Sequence, residues 1–178
     1  MGFVFLGIAA ILFFFMFKGQ LSGGTTADVK APSLNDLNEE KIHKYGLDRN
    51  FVRAIIKVES NGNTKAFNPA GPSYGLMQIT PILAQTYGLI ANYKAVTQND
   101  IALMMDVSNN SEVGCWFIAY LIKKYHKNIA IQMYNLGESG YNSGKRATTY
   151  LGKVLEWDRI YHLPWGSAER ANRKLYVF

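Results

Sequence analysis

Glu59 is the residue of this 178-residue chain best placed for acid–base chemistry. From Asp48 onward, Phe51, Val52, Ile55 and Ile56 recur at the three-and-four spacing of an amphipathic helix, and the next member of that series is Glu59 itself. Ser60-Asn61-Gly62-Asn63 follows at once and must end the helix. A carboxyl group at the end of an apolar stripe loses water and faces the negative end of the helix dipole. Both effects disfavour the ionised form and raise the pKa, as a general acid working near neutral pH requires. The competing reading is a glutamate at the rim of the stripe that reaches water, the usual state of charges at helix ends.

Two later segments favour the first reading. Gly71-Pro72-Ser73-Tyr74-Gly75-Leu76-Met77-Gln78-Ile79-Thr80-Pro81 predicts a loop tightened by two glycines, then an apolar run holding one amide, then a helix with Thr80 as N-cap and Pro81 in its first position. Gln78, between Met77 and Ile79, is either satisfied internally or points into a cleft to bind a polar ligand. Met133-Tyr134-Asn135-Leu136-Gly137 has the same grammar: a buried aromatic, an amide, and a glycine that permits close approach.

In this order, Glu59-Ser60, Ser73-Tyr74-Gly75-Leu76-Met77-Gln78-Ile79, Tyr134-Asn135-Leu136-Gly137 and Tyr150-Leu151 with Val154-Leu155 resemble the catalytic domain of the soluble lytic transglycosylase family, in the lysozyme-like superfamily. The resemblance runs over roughly residues 45 to 165. It implies cleavage of the β-1,4 bond between N-acetylmuramic acid and N-acetylglucosamine in peptidoglycan, with Glu59 as acid and then base. It also implies that Ser73 and Gln78 orient the acid and the sugar, that Tyr134 and Asn135 wall the groove, and that Tyr150 packs beneath it. Gly75, Met77 and Ser60 complete the implied substrate-binding set, although Ser60, directly after Glu59, reads as either a helix-end filler or a hydrogen-bond partner in the site. Two departures concern the saccharide contacts: Met133 stands where the family usually has Ala, and Arg146-Ala147-Thr148-Thr149 precedes Tyr150 without the usual acidic residue.

The carboxylate inventory bears on the reaction. Glycosidases that use two carboxyl groups need the second as nucleophile or as base for water. Here Asp48 reads as a helix N-cap, Asp100 and Asp106 fall in the 97–106 segment, and Glu112 reads as a first-turn residue complementing a helix dipole. One acid suffices if the nucleophile is a hydroxyl of the substrate, whose effective molarity is high. This leans towards an anhydro-sugar product, with hydrolysis by a lysozyme of the same fold, or a silent wall-binding or virion module, as the alternatives.

The elements needed to position these groups are nearly all helices. Beside the helix ending at Glu59, the patterns predict helices from Ser33 through Ile42, Thr80 to Tyr87, Gln98 to Asp106, Ser111 to Tyr125, Lys127 to Tyr134 and Thr148 to His162, with a possible two-stranded piece between Phe67 and Ile79. The expected fold is α+β, predominantly α: a lysozyme-like domain over 34–165. Ahead of it, residues 1–21 contain an unbroken apolar run from Phe3 to Phe17 that reads as a retained membrane anchor. Residues 22–33 form a Gly/Ser/Thr linker, and 166–178 a basic tail. The lysines nearest the apolar run follow it, which by the positive-inside rule conflicts with a domain facing the wall. Delivery from outside by a phage virion would ease that conflict, and secretion-system or virion proteins are the protein partners to expect.

Net charge is +6, from 19 Lys and Arg against 13 Asp and Glu. A nucleic-acid binder is the rival from another class, but the basic residues are scattered, and anionic walls and lipids attract cations equally well. No nucleic-acid partner, cofactor or metal is expected. Cys115 is the sole cysteine, and on one helix with His126 it would lie about 16 Å away along the axis, too far for a dyad. His43, His126 and His162 have no ligand spacing. Trp116, Trp157 and Trp165 could serve as sugar platforms, but Trp116, on a continuous apolar helix, reads as core.

Overall fold

The computed structural model describes residues 39–164 and 167–172. In chain order these form α1 (Glu39–Lys44), α2 (Arg49–Ser60), β1 (Phe67–Asn68), β2 (Ser73–Tyr74), α3 (Pro81–Tyr87), α4 (Gln98–Met105), α5 (Val107–Lys124), α6 (Lys127–Asn142), α7 (Thr148–His162) and α8 (Ala168–Asn172). The architecture is predominantly helical with one small hairpin, as an α-rich lysozyme-like domain requires. The expected anchor at 1–21, the linker at 22–33, Trp165 and much of the tail lie outside the described residues. Among the described residues no helix is long and apolar enough to cross a membrane.

Local chemistry sets the helix ends. Asp48 caps α2 by accepting from the Phe51 amide, and Asn61, with φ 53°, closes it by returning its own N–H to the Lys57 carbonyl. Thr80 caps α3 with Pro81 in the first turn, and Thr97 with Asp100 forms a reciprocal capping box on α4. β1 and β2 pair antiparallel, Phe67 opposite Tyr74, and Tyr74 bridges on to Ile79. The strands are too short to be read from alternation.

The core forms where Phe51, Val52, Ile55 and Ile56 of α2 meet Val154 and Tyr161 of α7 and the buried face of α5. Two cations also line the α2–α7 seam: Arg53 lies over the Tyr161 ring at 4.5 Å and Lys57 over Trp157 at 4.9 Å. Because Arg53 is buried, the covered stripe of α2 is wider than its apolar residues indicate.

Three expectations are corrected. The helix expected from Ser111 begins at Val107, capped by Asp106. Glu112 therefore sits in the second turn, not the first, and is no dipole complement: it is buried and bonded to Lys44 and to the hydroxyls of Tyr45 and Tyr87, with Lys41 at 3.1 Å. The helix expected to stop at Tyr134 runs on to Asn142 through a break at Gly137, whose φ 69° and ψ 156° only glycine adopts freely.

Candidate active site

Glu59 ends α2 at a fixed place because Asn61 and Gly62 both take positive φ and stop the helix. Ser60 serves this terminus: its hydroxyl donates to the Ile56 carbonyl at 3.3 Å and accepts from the Gly62 amide at 3.1 Å. These bonds match the helix-end role, one of the two readings its position allowed.

The Glu59 carboxyl accepts a hydrogen bond of 2.5 Å from the Tyr150 hydroxyl, brought from the first turn of α7. Burial pushes its pKa up to about 7, partly opposed by the bond from Tyr150, which favours the carboxylate. The residue keeps partial exposure, so the acid lies at a surface although protein surrounds its carboxyl. Burial and the neighbouring Glu59 hold the phenols of Tyr150 and Tyr134 well above the usual tyrosine range, so both remain hydrogen-bond donors. Tyr150 does more than pack under the site. Its hydroxyl touches the acid.

Tyr134, which feels the Glu59 charge, is tied to the 73–79 loop through the Met77 carbonyl. Ser73 donates to the Gln78 side-chain oxygen at 2.8 Å, while the Gln78 amide nitrogen donates to Ala66 and Gly75 carbonyls at 3.2 and 2.9 Å. Gln78 is thus satisfied internally, the first of the two readings its position allowed. These bonds hold it at φ 49°, a left-handed conformation that a non-glycine residue adopts at a cost of roughly 1 kcal/mol or more. Met77 is fully buried and acts as a core side chain, not the substrate contact expected of it; its carbonyl accepts from Tyr134 at 2.9 Å. Gly114 makes room for it, since a Cβ there would stand 2.5 Å from the Met77 sulfur.

Sequence reasoning missed Asn110. Fully buried, its amide accepts from the Met77 N–H at 2.8 Å and donates to the Tyr74 and Met104 carbonyls at 2.7 Å each. It clamps the loop to α5, and Gly75 at φ 74° has no Cβ because one would stand 2.4 Å from the Asn110 nitrogen. Its only signal in the sequence was a polar residue on the apolar side of α5. On α6, the break at Gly137 follows Tyr134 and Asn135. Asn135 is partly exposed. Phe67, 50 % exposed, stacks on Tyr74 with centroids 5.0 Å apart.

Among the described residues, no second carboxyl group joins Glu59 in setting its titration. Asp100 is in its capping box, Asp106 caps α5, Glu112 and Glu138 are each ringed by lysine and tyrosine donors, and Asp158 pairs with Lys127 at 2.7 Å. The Cys115 thiol is pushed up to about 12 by burial and does not ionise near neutrality. Among the described residues, Asp48, Asp158 and His162 gather ligand atoms within 4.8 Å of one another. That group sits at the opposite end of α7 from Tyr150, and each member already has a protein partner.

The Glu59 carboxyl can donate a proton to an oxygen placed beside it and take one back. A family model described as the transglycosylase SLT domain matches residues 36–154. The chain is 27% identical over 114 residues to a transglycosylase of Enterobacteria phage PRD1, covering 64% of this chain and 38% of that one. It is 32% identical over 91 residues to membrane-bound lytic murein transglycosylase E of Buchnera aphidicola subsp. Acyrthosiphon pisum, covering 51% and 40%. It is also 30% identical over 139 residues to membrane-bound lytic murein transglycosylase C of Actinobacillus pleuropneumoniae serotype 5b, covering 74% and 35%. The chain thus spans 35 to 40% of the length of these three relatives.

Proposed function

The chain belongs to the transglycosylase SLT domain family, and on that premise we propose that it is a peptidoglycan lytic transglycosylase. Glu59 protonates the glycosidic oxygen as the bond between muramic acid C1 and that oxygen breaks. The resulting carboxylate then takes the proton from the C6 hydroxyl of the same muramic acid as its oxygen bonds to C1. The product is a 1,6-anhydro sugar, no water is consumed, and Glu59 ends protonated as it began. The observation that carries this reading is an acid with its pKa pushed up to about 7 and, among the described residues, no partner carboxylate acting on it. Tyr150 orients the acid. Asn135 and Tyr134 on one side, and the loop held by Ser73, Gly75 and Gln78 on the other, bind the glycan; Met77 and Ser60 support from behind. A mass spectrum of fragments released from purified wall tests it. Anhydromuramic ends support the reading, while reducing ends, heavier by one water, make the enzyme a hydrolytic muramidase.

We place the domain at the cell envelope, anchored by the apolar run from Phe3 to Phe17, either among a bacterium's own wall enzymes or carried by a phage; two relatives bear names of the membrane-bound kind and one is a phage protein. Removing residues 1–27 should leave a domain that digests isolated wall, whereas the intact chain should sediment with membranes and resist carbonate. A full chain that stays soluble would remove the anchor.

A further inference from the structure

On α5, Trp116 and Tyr120 stand one helical turn apart with nearly parallel rings, centroids 6.4 Å apart and planes 21° apart. Tyr87, at the end of α3, meets Trp116 edge-on at 5.3 Å. Tyr120 is 38 % exposed, one of two exposed large hydrophobic side chains among the described residues. Trp116 and Tyr87 are partly exposed, so the expectation that Trp116 belongs to the core is only half met. The two tyrosines are tethered at their polar edges to buried carboxylates, Tyr87 to Glu112 at 2.8 Å and Tyr120 to Glu138 at 3.2 Å. Lys124 stands 5.4 Å from the centre of the Tyr120 ring. The strip joins the groove wall through Phe117, whose ring lies 6.4 Å from Trp116 and 5.6 Å from Tyr134.

A solvated helix face would carry charges here, and a core face would be covered. Three rings fixed in place, partly open and rimmed by a cation instead suit a flat, amphipathic ligand, because ring faces take an apolar C–H surface while the ligand's polar rim stays in water. We propose that Tyr87, Trp116 and Tyr120 form a second saccharide-contacting surface, which holds a glycan strand outside the cleavage groove. A protein occupant is disfavoured by size: three side chains fall far short of the roughly 800 Å² per partner of a stable protein interface. A polymeric strand needs no such area, since a weak second contact raises its effective concentration at Glu59. The proposal rests on the peptidoglycan reading above.

The test uses the full chain, alone and with Glu59→Gln so that binding is read without cleavage. The Trp116→Ala/Tyr120→Ala protein should bind insoluble wall roughly tenfold or more weakly, while its kcat/KM on a short soluble glycan fragment stays within twofold of the parent's. Trp116→Phe/Tyr120→Phe, which keeps the rings, should restore most of the binding. Undiminished wall binding by the alanine protein overturns the proposal, as does an equal loss on wall and short fragment. If the double variant does not fold, the single change Tyr120→Ala at the exposed ring decides by the same two readouts. A parent protein that cleaves no wall at all removes the underlying reading instead, a result distinct from a cleaving parent whose alanine variant is unimpaired.

Discussion

The Tyr150 hydroxyl donates to the Glu59 carboxyl across 2.5 Å although the two residues are 91 positions apart. That bond joins the last turn of α2 to the first turn of α7, the two helices whose packing forms the seam of the core. It also opposes burial in setting the acid's pKa, so the same contact orients the carboxyl and keeps it within reach of deprotonation near neutral pH.

Tyr150→Phe should therefore shift the alkaline limb of the activity profile to higher pH. The lost donor favoured the carboxylate, so its removal raises the Glu59 pKa further above the present value of about 7. Turnover should fall roughly tenfold, the worth of one orienting hydrogen bond. A lowered alkaline limb in a pH–rate series would contradict the geometry.

Glu59→Gln should abolish lysis while leaving the fold intact. An amide of the same shape cannot cycle a proton, and each lost proton-transfer step is worth roughly a hundredfold to ten-thousandfold. The parent enzyme should stay active well above the range of an exposed glutamate and decline as pH rises through about 7. Turbidity clearance measured from pH 4 to 9 checks both statements; variant activity above a tenth of the parent's would sink the assignment.

The same acid makes stability depend on pH. Its folded pKa of about 7 lies above the ordinary 4.5, so the stability that goes with the neutral carboxyl is complete below pH 4.5 and lost as pH climbs through 7. Glu59→Gln never ionises and escapes that loss. Urea denaturation should show similar parent and variant stabilities at pH 4, with the variant ahead by up to roughly 3 kcal/mol at pH 8, taking about 1.4 kcal/mol per unit of pKa. An unchanged difference between the two pH values would show that the carboxyl is solvated.

Asn110→Ala should destabilise the protein by about 3 kcal/mol, because it leaves the Met77 amide and the Met104 carbonyl without partners in a dry interior and takes one of two donors from the Tyr74 carbonyl, which keeps the Ile79 amide. Activity should fall further than the folded fraction does, since the loop holding Gln78 is no longer clamped. Folded fraction by circular dichroism and turnover on the same sample separate the two effects.

The sequence alone put Glu59 at the end of a helical stripe. A carboxylate in a helical stripe followed by Asn61-Gly62 is a local pattern, and local rules of periodicity and capping govern it, as they govern the Asp48 cap, the Thr80-Pro81 helix start and the span of α7. Only the tertiary structure decided what each polar side chain does, because a hydroxyl or amide finds its partner at long range. Tyr150 reaches Glu59, Asn110 holds the 73–79 loop, Glu112 gathers donors from α1 and α3, and Ser73 turns to Gln78. Spacing along the chain says only that Glu112 lies on a helix with an apolar face and that Met77 belongs to an apolar run. Whether that face is closed by a neighbour carrying lysines, or by a glycine that admits a sulfur atom, depends on helices far away in the chain.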